Sequence, residues 1–237
     1  LGFLILFPLV VAGVLLVVRN NRARNVIVGA SALVIGLASV WLVVSYLELV
    51  DNDDFYSPVV DYVCMAVSVL IAAAILYFGI KYKNLWLACS QPSRWSARFV
   101  FEFGFAHDVL VTEGDLDSLS LLMAFIIGVI GSGSLRVRSR LHGRLPGARA
   151  GRREGPPADV LRLMFVFLAA MFLIVFSNNM LWLFTGWEIT TVCSFLLIAS
   201  PVPRAIKNAF RQIIITAGGI AFLRLYVMAI QFNTLSF

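Results

Sequence analysis

One carboxylate lies near the middle of an apolar stretch that is long enough to cross a membrane as a helix. The stretch runs from Ser177 to Ser200, and the carboxylate belongs to Glu188. A hydrocarbon core about 30 Å thick requires roughly 20 apolar residues in a helix, and an acidic residue at its centre costs about 2.5–3.5 kcal/mol. Because an ionisable side chain is costly at this depth, we interpret Glu188 as a protonatable relay site.

Two threonines share the helix face of Glu188. Thr185 lies three residues before it and Thr191 three residues after it, and residues three or four apart stack on one side of a helix. We expect this polar stripe to face other helices or buried water. The rings of Phe184 and Phe195 should then contact apolar neighbours.

The next helix supplies cations that are candidates to pair with Glu188. We predict that Ala205–Phe232 folds back on this span as an antiparallel hairpin. Counting away from the proline-containing turn places Thr216 level with Glu188. At 1.5 Å per residue, Arg211 lies roughly 7–8 Å nearer the turn and Lys207 about 13–14 Å nearer. Arg211 is therefore the better partner, whereas Lys207 would need a bridging water or side chain.

Two interpretations of a buried carboxylate beside a cation remain open. The cation favours the ionised form and burial at lipid depth favours the protonated form, so the opposed effects suit a group that exchanges protons. The alternative is a static buried ion pair that fixes the register of the two helices.

The composition excludes a soluble globular protein. Of the 237 residues, 60 % are hydrophobic and 14 % are charged, and the mean hydropathy is +0.91. The apolar residues form blocks of about 18–25 residues without the two-residue alternation of a barrel strand. Only helices or closed barrels satisfy the backbone in lipid. We predict an all-α fold, a polytopic transmembrane helix bundle of about seven to eight spans in the cell (inner) membrane.

The apolar blocks and the charges between them predict where the spans lie. Basic residues mark the cytoplasmic side and Asp51–Asp54 the outer side. A poor span at about Leu85–Phe103 is needed to return the chain to the outer side, although Arg94 and Arg98 make it costly; a hairpin is the alternative. The predicted spans are Leu1–Val18, Val26–Leu47, Val59–Tyr82, Leu85–Phe103, Leu116–Ser134, Val160–Phe176, Asn178–Ala199 and Ala205–Phe232.

The chain divides into three parts. Residues 1–134 are predicted to be N-terminal transmembrane helices, with the weak span or hairpin near 85–116. Residues 135–159 contain seven arginines within Arg136–Arg153, which predicts a disordered cytoplasmic loop attracted to anionic lipid headgroups. Residues 160–237 form the third part. The net charge of +6 reflects the basic cytoplasmic side of a membrane protein, so we expect no nucleic-acid partner.

No site for a cofactor, a metal or a covalent catalyst is visible in the sequence. Cys64, Cys89 and Cys193 stand apart from one another without metal-ligand spacing, and the two histidines are far apart. No glycine-rich phosphate loop follows a strand. We therefore predict no catalytic, cofactor-binding or metal-binding residues in this chain.

Four blocks of sequence carry a family resemblance: SNNMLWLFTGWEITTVCSFLLI at 177–198, AIKNAFRQ at 205–212, GGIAF at 218–222 and DSLSLLMAFIIGVIGS at 117–132. Together they resemble the antiporter-like subunits of respiratory complex I, a superfamily that includes Mrp antiporters. The resemblance is greatest to the large membrane subunit of energy-converting, Ech-type nickel–iron hydrogenases. By this resemblance the chain is the N-terminal part of such a subunit, and residues 160–237 are the truncated start of its proton-translocating domain.

The resemblance implies a subunit that moves H⁺, or Na⁺, across the membrane while a redox reaction proceeds in partner subunits. The family's essential glutamate falls on Glu188, its basic helix start on Lys207–Arg211, and its aspartate at a span entry on Asp117. It implies no cofactor in this chain. Other membrane and hydrophilic subunits of a hydrogenase-type or NADH dehydrogenase-type complex would carry nickel–iron, iron–sulfur or flavin groups.

The chain also departs from that family. Thr216 stands where the hydrogenase branch has asparagine, and an arginine-rich run replaces the family's link after the aspartate span, as a locally shifted reading frame would produce. The further spans that complete the family's ion path do not lie in these residues. Two alternative functions remain: a truncated membrane anchor that transports nothing, and a stand-alone Mrp-type cation/proton antiporter subunit.

Overall fold

A computed structural model of the chain describes residues 2–18, 20–46, 58–81, 118–144, 157–177, 180–199 and 205–234. Within these ranges all regular secondary structure is helical, which confirms the predicted all-α fold. The seven helices are α1 Gly2–Val17, α2 Asn21–Tyr46, α3 Pro58–Lys81, α4 Ser118–Arg144, α5 Pro157–Phe176, α6 Met180–Ala199 and α7 Ala205–Thr234.

Four segments in the described part of the chain are long and apolar enough to cross a membrane. They are Arg22–Ser45, Ser118–Arg138, Asp159–Phe176 and Trp182–Ala199. The chain is therefore a multi-pass membrane protein, as predicted. The predicted count of seven to eight spans is not confirmed, because among the described residues only these four segments have both the length and the hydropathy of a span, and Gly2–Val17 and Ala66–Ile75 are apolar but shorter.

Helices α2 and α4 pack closely through small residues. A Cβ atom added at Gly36 would lie 3.0 Å from Ser132 Oγ, and one added at Gly128 would overlap the side chain of Ser39. Gly36 contacts Ser132, and Ser39, later on α2, contacts Gly128, earlier on α4. The two helices are therefore antiparallel. Small residues let membrane helices approach closely, and on α2 Gly36 and Ser39 lie at this contact.

Helix α1 is joined to α5 by a side chain that binds its C-terminal end. The Nε of Arg162 donates a hydrogen bond to the carbonyl oxygen of Leu15 at 3.0 Å, and the same guanidinium pairs with Asp159. The last carbonyls of a helix have no intrahelical partner and favour a cation. Behind this contact, Phe165 and Phe172 are fully buried in the largest apolar cluster.

Helices α6 and α7 form the predicted antiparallel hairpin. The rings of Phe195 and Phe210 lie 5.3 Å apart near the turn, and Phe184 and Ile220 share a buried apolar cluster farther from it. The members of each pair are almost equally distant from the turn in sequence. The predicted register, with Thr216 level with Glu188, is therefore confirmed.

Helix α3 runs in the same direction as α6. Ser68 contacts Thr185, and Ile75, farther along α3, packs in one cluster with Phe195, which lies farther along α6. A crossing between residues 84 and 116 was predicted from charge alone, and those residues lie outside the described ranges. Asp117 also lies outside them, directly before the first residue of α4.

Helix α4 is longer than predicted. The span was expected to end at Ser134 and to be followed by a disordered loop over 135–159, but the helix continues to Arg144, so the loop prediction is wrong for its first ten residues. Arginine and leucine favour the helix, and arginine side chains at the end of a span can extend toward water. The next part of the predicted loop, residues 145–156, lies outside the described ranges.

Candidate functional site

The polar stripe of α6 faces the interior of the bundle. Glu188 is 9 % exposed, and Thr185 and Thr191 on the same face are 1 % and 4 % exposed. The aromatic residues Phe184 and Phe195 are also buried, so α6 packs on more than one side. The sequence predicts both features, and they place an ionisable side chain among packed helices at the centre of a membrane-spanning helix.

Helix α3 adds a hydroxyl group to this stripe. The Oγ of Ser68 lies 3.2 Å from Thr185 Oγ1, and either oxygen can donate. Ser68 is only 3 % exposed. Ser68 was not predicted as a site residue, although it is the only hydroxyl-bearing residue between Val63 and Leu76.

Hydroxyl groups also follow α6 from Glu188 toward its C-terminus. Thr190 and Thr191 both donate to the carbonyl oxygen of Trp187, at 2.8 and 2.9 Å. Ser194 donates to the carbonyl of Thr190 at 2.8 Å. Such bonds satisfy hydroxyl groups in an apolar environment and tend to bend the helix. Since a hydroxyl group both donates and accepts, Glu188 lies between Thr185 on one side and three hydroxyl groups on the other.

Helix α5 approaches the backbone of α6 next to Glu188. A Cβ atom added at Gly186 would lie 2.8 Å from Ile174 Cγ1 and 3.2 Å from the carbonyl oxygen of Ala170. Only glycine permits this approach without a shift of α5. Apolar atoms and backbone of α5 therefore lie against α6 at Gly186, and the Ser68 hydroxyl of α3 lies against α6 at Thr185.

Helix α7 places an amide at the depth of the site. Gln212 Nε2 donates to Thr216 Oγ1 at 3.1 Å, and Thr216 Oγ1 donates to the carbonyl oxygen of Gln212 at 2.9 Å. The Oε1 of Gln212 is buried and has no hydrogen-bond partner within the described ranges. A buried acceptor of this kind is normally satisfied by a water or by a second polar group. Gln212 was not predicted as a site residue.

The two predicted cationic partners lie on a different face of α7. Lys207 and Arg211 are exposed, whereas the buried residues Ile213 and Ile220 face the bundle. At 3.6 residues per turn, Arg211 lies almost opposite Ile213 and Ile220. Depth along the helix alone had suggested Arg211 as the partner of Glu188. That pairing stays a prediction, and the structure shows that it would require a different face of α7.

No metal site is evident in the described residues. They contain no group of three or more histidine, cysteine, aspartate or glutamate side chains that is placed to hold a metal ion. The buried thiol of Cys193 lies on α6 without such a group around it. The prediction that cofactors belong to other subunits is not tested by this geometry and stays a prediction.

The chain is similar in sequence to two curated proteins. It is 29 % identical over 156 residues to NADH-quinone oxidoreductase subunit L of Buchnera aphidicola subsp. Acyrthosiphon pisum (strain APS). The aligned residues make up 64 % of this chain and 21 % of that protein. It is 33 % identical over 116 residues to a candidate antiporter subunit, mnhA2, of Staphylococcus haemolyticus (strain JCSC1435). Here the aligned residues make up 48 % of this chain and 14 % of that protein.

The matched part is thus about a fifth or less of the length of each of these relatives. No protein-family model and no solved structure matches the chain. The two similarities support the superfamily of complex I and Mrp antiporter-like subunits. Neither relative is a hydrogenase subunit, so the narrower resemblance to Ech-type hydrogenases stays a prediction.

Proposed function

We propose that this chain is an ion-translocating membrane subunit in which Glu188 changes its proton occupancy during transport. One observation carries the proposal: a carboxyl group is buried at the middle of a membrane-spanning helix, on a face that also carries two buried threonines. Ionisable residues at membrane depth are costly and are usually found on ion pathways or in proton relays.

The surroundings of Glu188 support a role in proton transfer. The carboxyl group lies within one helical turn of Thr185 and Thr191, and Ser68 extends this hydroxyl-bearing region onto α3. Hydroxyl groups can donate and accept in turn, so a proton can pass along them with the help of water. A static pair with Arg211 would instead need that cation on the buried face, whereas its side chain is exposed.

The driving force is the less direct part of the proposal. Similarity to a subunit of NADH-quinone oxidoreductase supports a redox-driven complex of the complex I type, and the hydrogenase type rests on the sequence resemblance alone. In such a complex other subunits would hold the nickel–iron, iron–sulfur or flavin groups, and this chain would contribute the membrane path for H⁺, or for Na⁺. The second candidate, an Mrp-type cation/proton antiporter subunit without a redox partner, is favoured by the similarity to an antiporter subunit.

The decisive experiment replaces Glu188 with glutamine in the native complex and measures ion transport and redox turnover together. The amide keeps the size and polarity of the side chain but cannot take up or release a proton. We expect transport to fall at least tenfold, which corresponds to about 1.4 kcal/mol. Asp159→Asn is a matched control, because it removes another carboxylate that is half exposed at the start of α5.

The outcomes separate the candidates. Transport that survives Glu188→Gln would overturn the relay role. Loss of transport together with unchanged, uncoupled redox turnover supports the redox-driven complex. Loss of cation/proton exchange in a preparation that contains no redox partner supports the antiporter instead. An Asp159→Asn variant that loses transport equally would show that the effect is not specific to Glu188.

A further inference from the structure

An apolar crevice lies between α4, α5 and α6. Its volume is about 550 Å³, and its walls are formed largely by aliphatic and thioether side chains, among them Ile127, Ile130, Met164, Leu168, Met171 and Leu197. Two serines, Ser134 and Ser194, also line it, but their hydroxyl groups donate to the carbonyl oxygens of Ile130 and Thr190 in their own helices. The walls of the crevice therefore present few free hydrogen-bond donors, which suits an apolar ligand.

The crevice continues toward the basic end of the bundle. A second cavity of about 770 Å³ shares four lining residues with the first, Ile130, Ser134, Met164 and Leu197, and also reaches Arg138. Arg138 is exposed and lies on the part of α4 that follows the predicted end of the span. The other wall includes Val160, and the neighbouring carboxylate of Asp159 is paired with Arg162. The open end therefore carries net positive charge.

We propose that this crevice binds an anionic phospholipid, with one acyl chain between α4, α5 and α6 and the phosphate at Arg138. The volume falls in the range of about 300–1,000 Å³ that is typical of small-molecule sites. Guanidinium groups bind phosphate through paired hydrogen bonds. The basic ends of membrane helices face the leaflet that holds anionic lipids. A long apolar slot that ends at an arginine matches a ligand with an acyl chain and a charged headgroup.

The charge-dependent half of the proposal is tested with the full chain in detergent. Native mass spectrometry measures the apparent Kd for phosphatidylglycerol and for phosphatidylcholine. We expect Arg138→Gln to weaken phosphatidylglycerol binding about fivefold and to leave phosphatidylcholine binding unchanged. Arg22→Gln is the matched control, because it removes the same charge from an exposed arginine at the start of α2, and it should leave both affinities unchanged. Equal losses in the two variants would overturn recognition at Arg138.

The apolar half is tested by filling the crevice. Ile130 lines both cavities and is 64 % exposed, whereas the adjacent Val129 is also exposed but lines neither. Ile130→Trp should reduce retention of both lipids, and Val129→Trp should not. Helical content measured by circular dichroism shows that each variant is folded. Unchanged lipid retention in folded Ile130→Trp would overturn the placement of the acyl chain.

A measurement on the unaltered chain does not depend on any variant. Phosphatidylglycerol with a photoactivatable group at the end of one acyl chain should crosslink to the crevice, with Met164 and Met171 as expected sites. Crosslinks spread over the lipid-facing surfaces of all helices would overturn the proposal. So would crosslinks that form with the isolated chain but are lost in the native complex, since another protein segment would then occupy the crevice.

Discussion

The hydroxyl oxygens of Ser68 and Thr185 lie 3.2 Å apart in a buried contact between α3 and α6. The two residues are 117 positions apart in sequence, and Thr185 is one helical turn from Glu188. This contact ties the position of α3 to the face of α6 that carries the carboxyl group. It makes α3 part of the site, a role that its sequence alone did not suggest.

A double-mutant cycle should detect this contact. Interhelical hydrogen bonds in membranes contribute about 0.6 kcal/mol on average and up to roughly 1.7 kcal/mol. We expect Ser68→Ala and Thr185→Val each to lower the free energy of unfolding. The loss in the double variant should be smaller than the sum of the two single losses by the energy of this hydrogen bond. Thermal or denaturant unfolding in detergent measures the coupling. Strict additivity would show that the hydroxyl groups do not interact.

Ser68→Ala should also slow transport more than it alters redox turnover, if the hydroxyl group takes part in the proton path next to Glu188. The conservative variant Ser68→Thr keeps a hydroxyl group and should restore part of the rate. Transport and turnover are measured on the same preparation, so that their ratio reports the coupling. A Ser68→Ala complex with the wild-type ratio and rate would limit Ser68 to a structural role.

Gly128→Ala should destabilise the contact between α2 and α4. The added Cβ atom would overlap both Oγ and Cβ of Ser39, and Ser39 is fully buried. Overpacking of this kind costs typically about 1–3 kcal/mol. Gly133→Ala is the control on the same helix, because nothing lies within 4 Å of its added Cβ atom. Unfolding in detergent should separate the two variants, and equal stabilities would contradict the close approach.

Phe210→Ala should destabilise the hairpin of α6 and α7. Phe210 is 6 % exposed and its ring packs on that of Phe195, so truncation leaves a cavity, at a cost of about 3 kcal/mol. Phe222 on the same helix is 75 % exposed, and Phe222→Ala should change the stability by less than about 0.5 kcal/mol. The measurement is again unfolding of the purified chain. A Phe222→Ala variant as unstable as Phe210→Ala would refute the hairpin packing described here.

Local sequence patterns predicted the helices and the α6–α7 register well. Helix bounds follow from the lengths of the apolar blocks except at the C-terminal end of α4, and a short connection in sequence fixes which residues of a hairpin are level. The pairing of Arg211 with Glu188 was predicted from depth along α7 alone, without the rotation of each residue around the helix. At 3.6 residues per turn, Arg211 is rotated by about 200° from the apolar residues Ala209 and Ile213, which places it on the opposite side of α7.

Contacts between helices that are distant in sequence could not be predicted in the same way. The pairing of Ser68 with Thr185 depends on which helices are neighbours in space, and hydrophobic periodicity does not encode that choice. The continuation of α4 to Arg144 was missed for another reason. A high density of arginine indicates both disorder and a helix that extends beyond the membrane, and composition alone does not distinguish them.

Arg162→Gln should loosen the attachment of α1. The variant removes the hydrogen bond to the carbonyl oxygen of Leu15 and the ion pair with Asp159. Each favourable charge at a helix end contributes about 0.3–1 kcal/mol, so we expect a loss of about 1 kcal/mol in stability. Faster hydrogen exchange at the C-terminal end of α1 checks the location of the effect. Uniform exchange changes across all helices would contradict it.

The bond between Arg162 and Leu15 also bears on how the protein is made. Its two ends are 147 residues apart, so α1 can acquire this neighbour only after at least 147 further residues have been synthesised. Until then the carbonyl oxygen of Leu15 lacks the hydrogen bond from Arg162. The attachment of α1 to α5 is therefore a late step of folding relative to the synthesis of α1 itself.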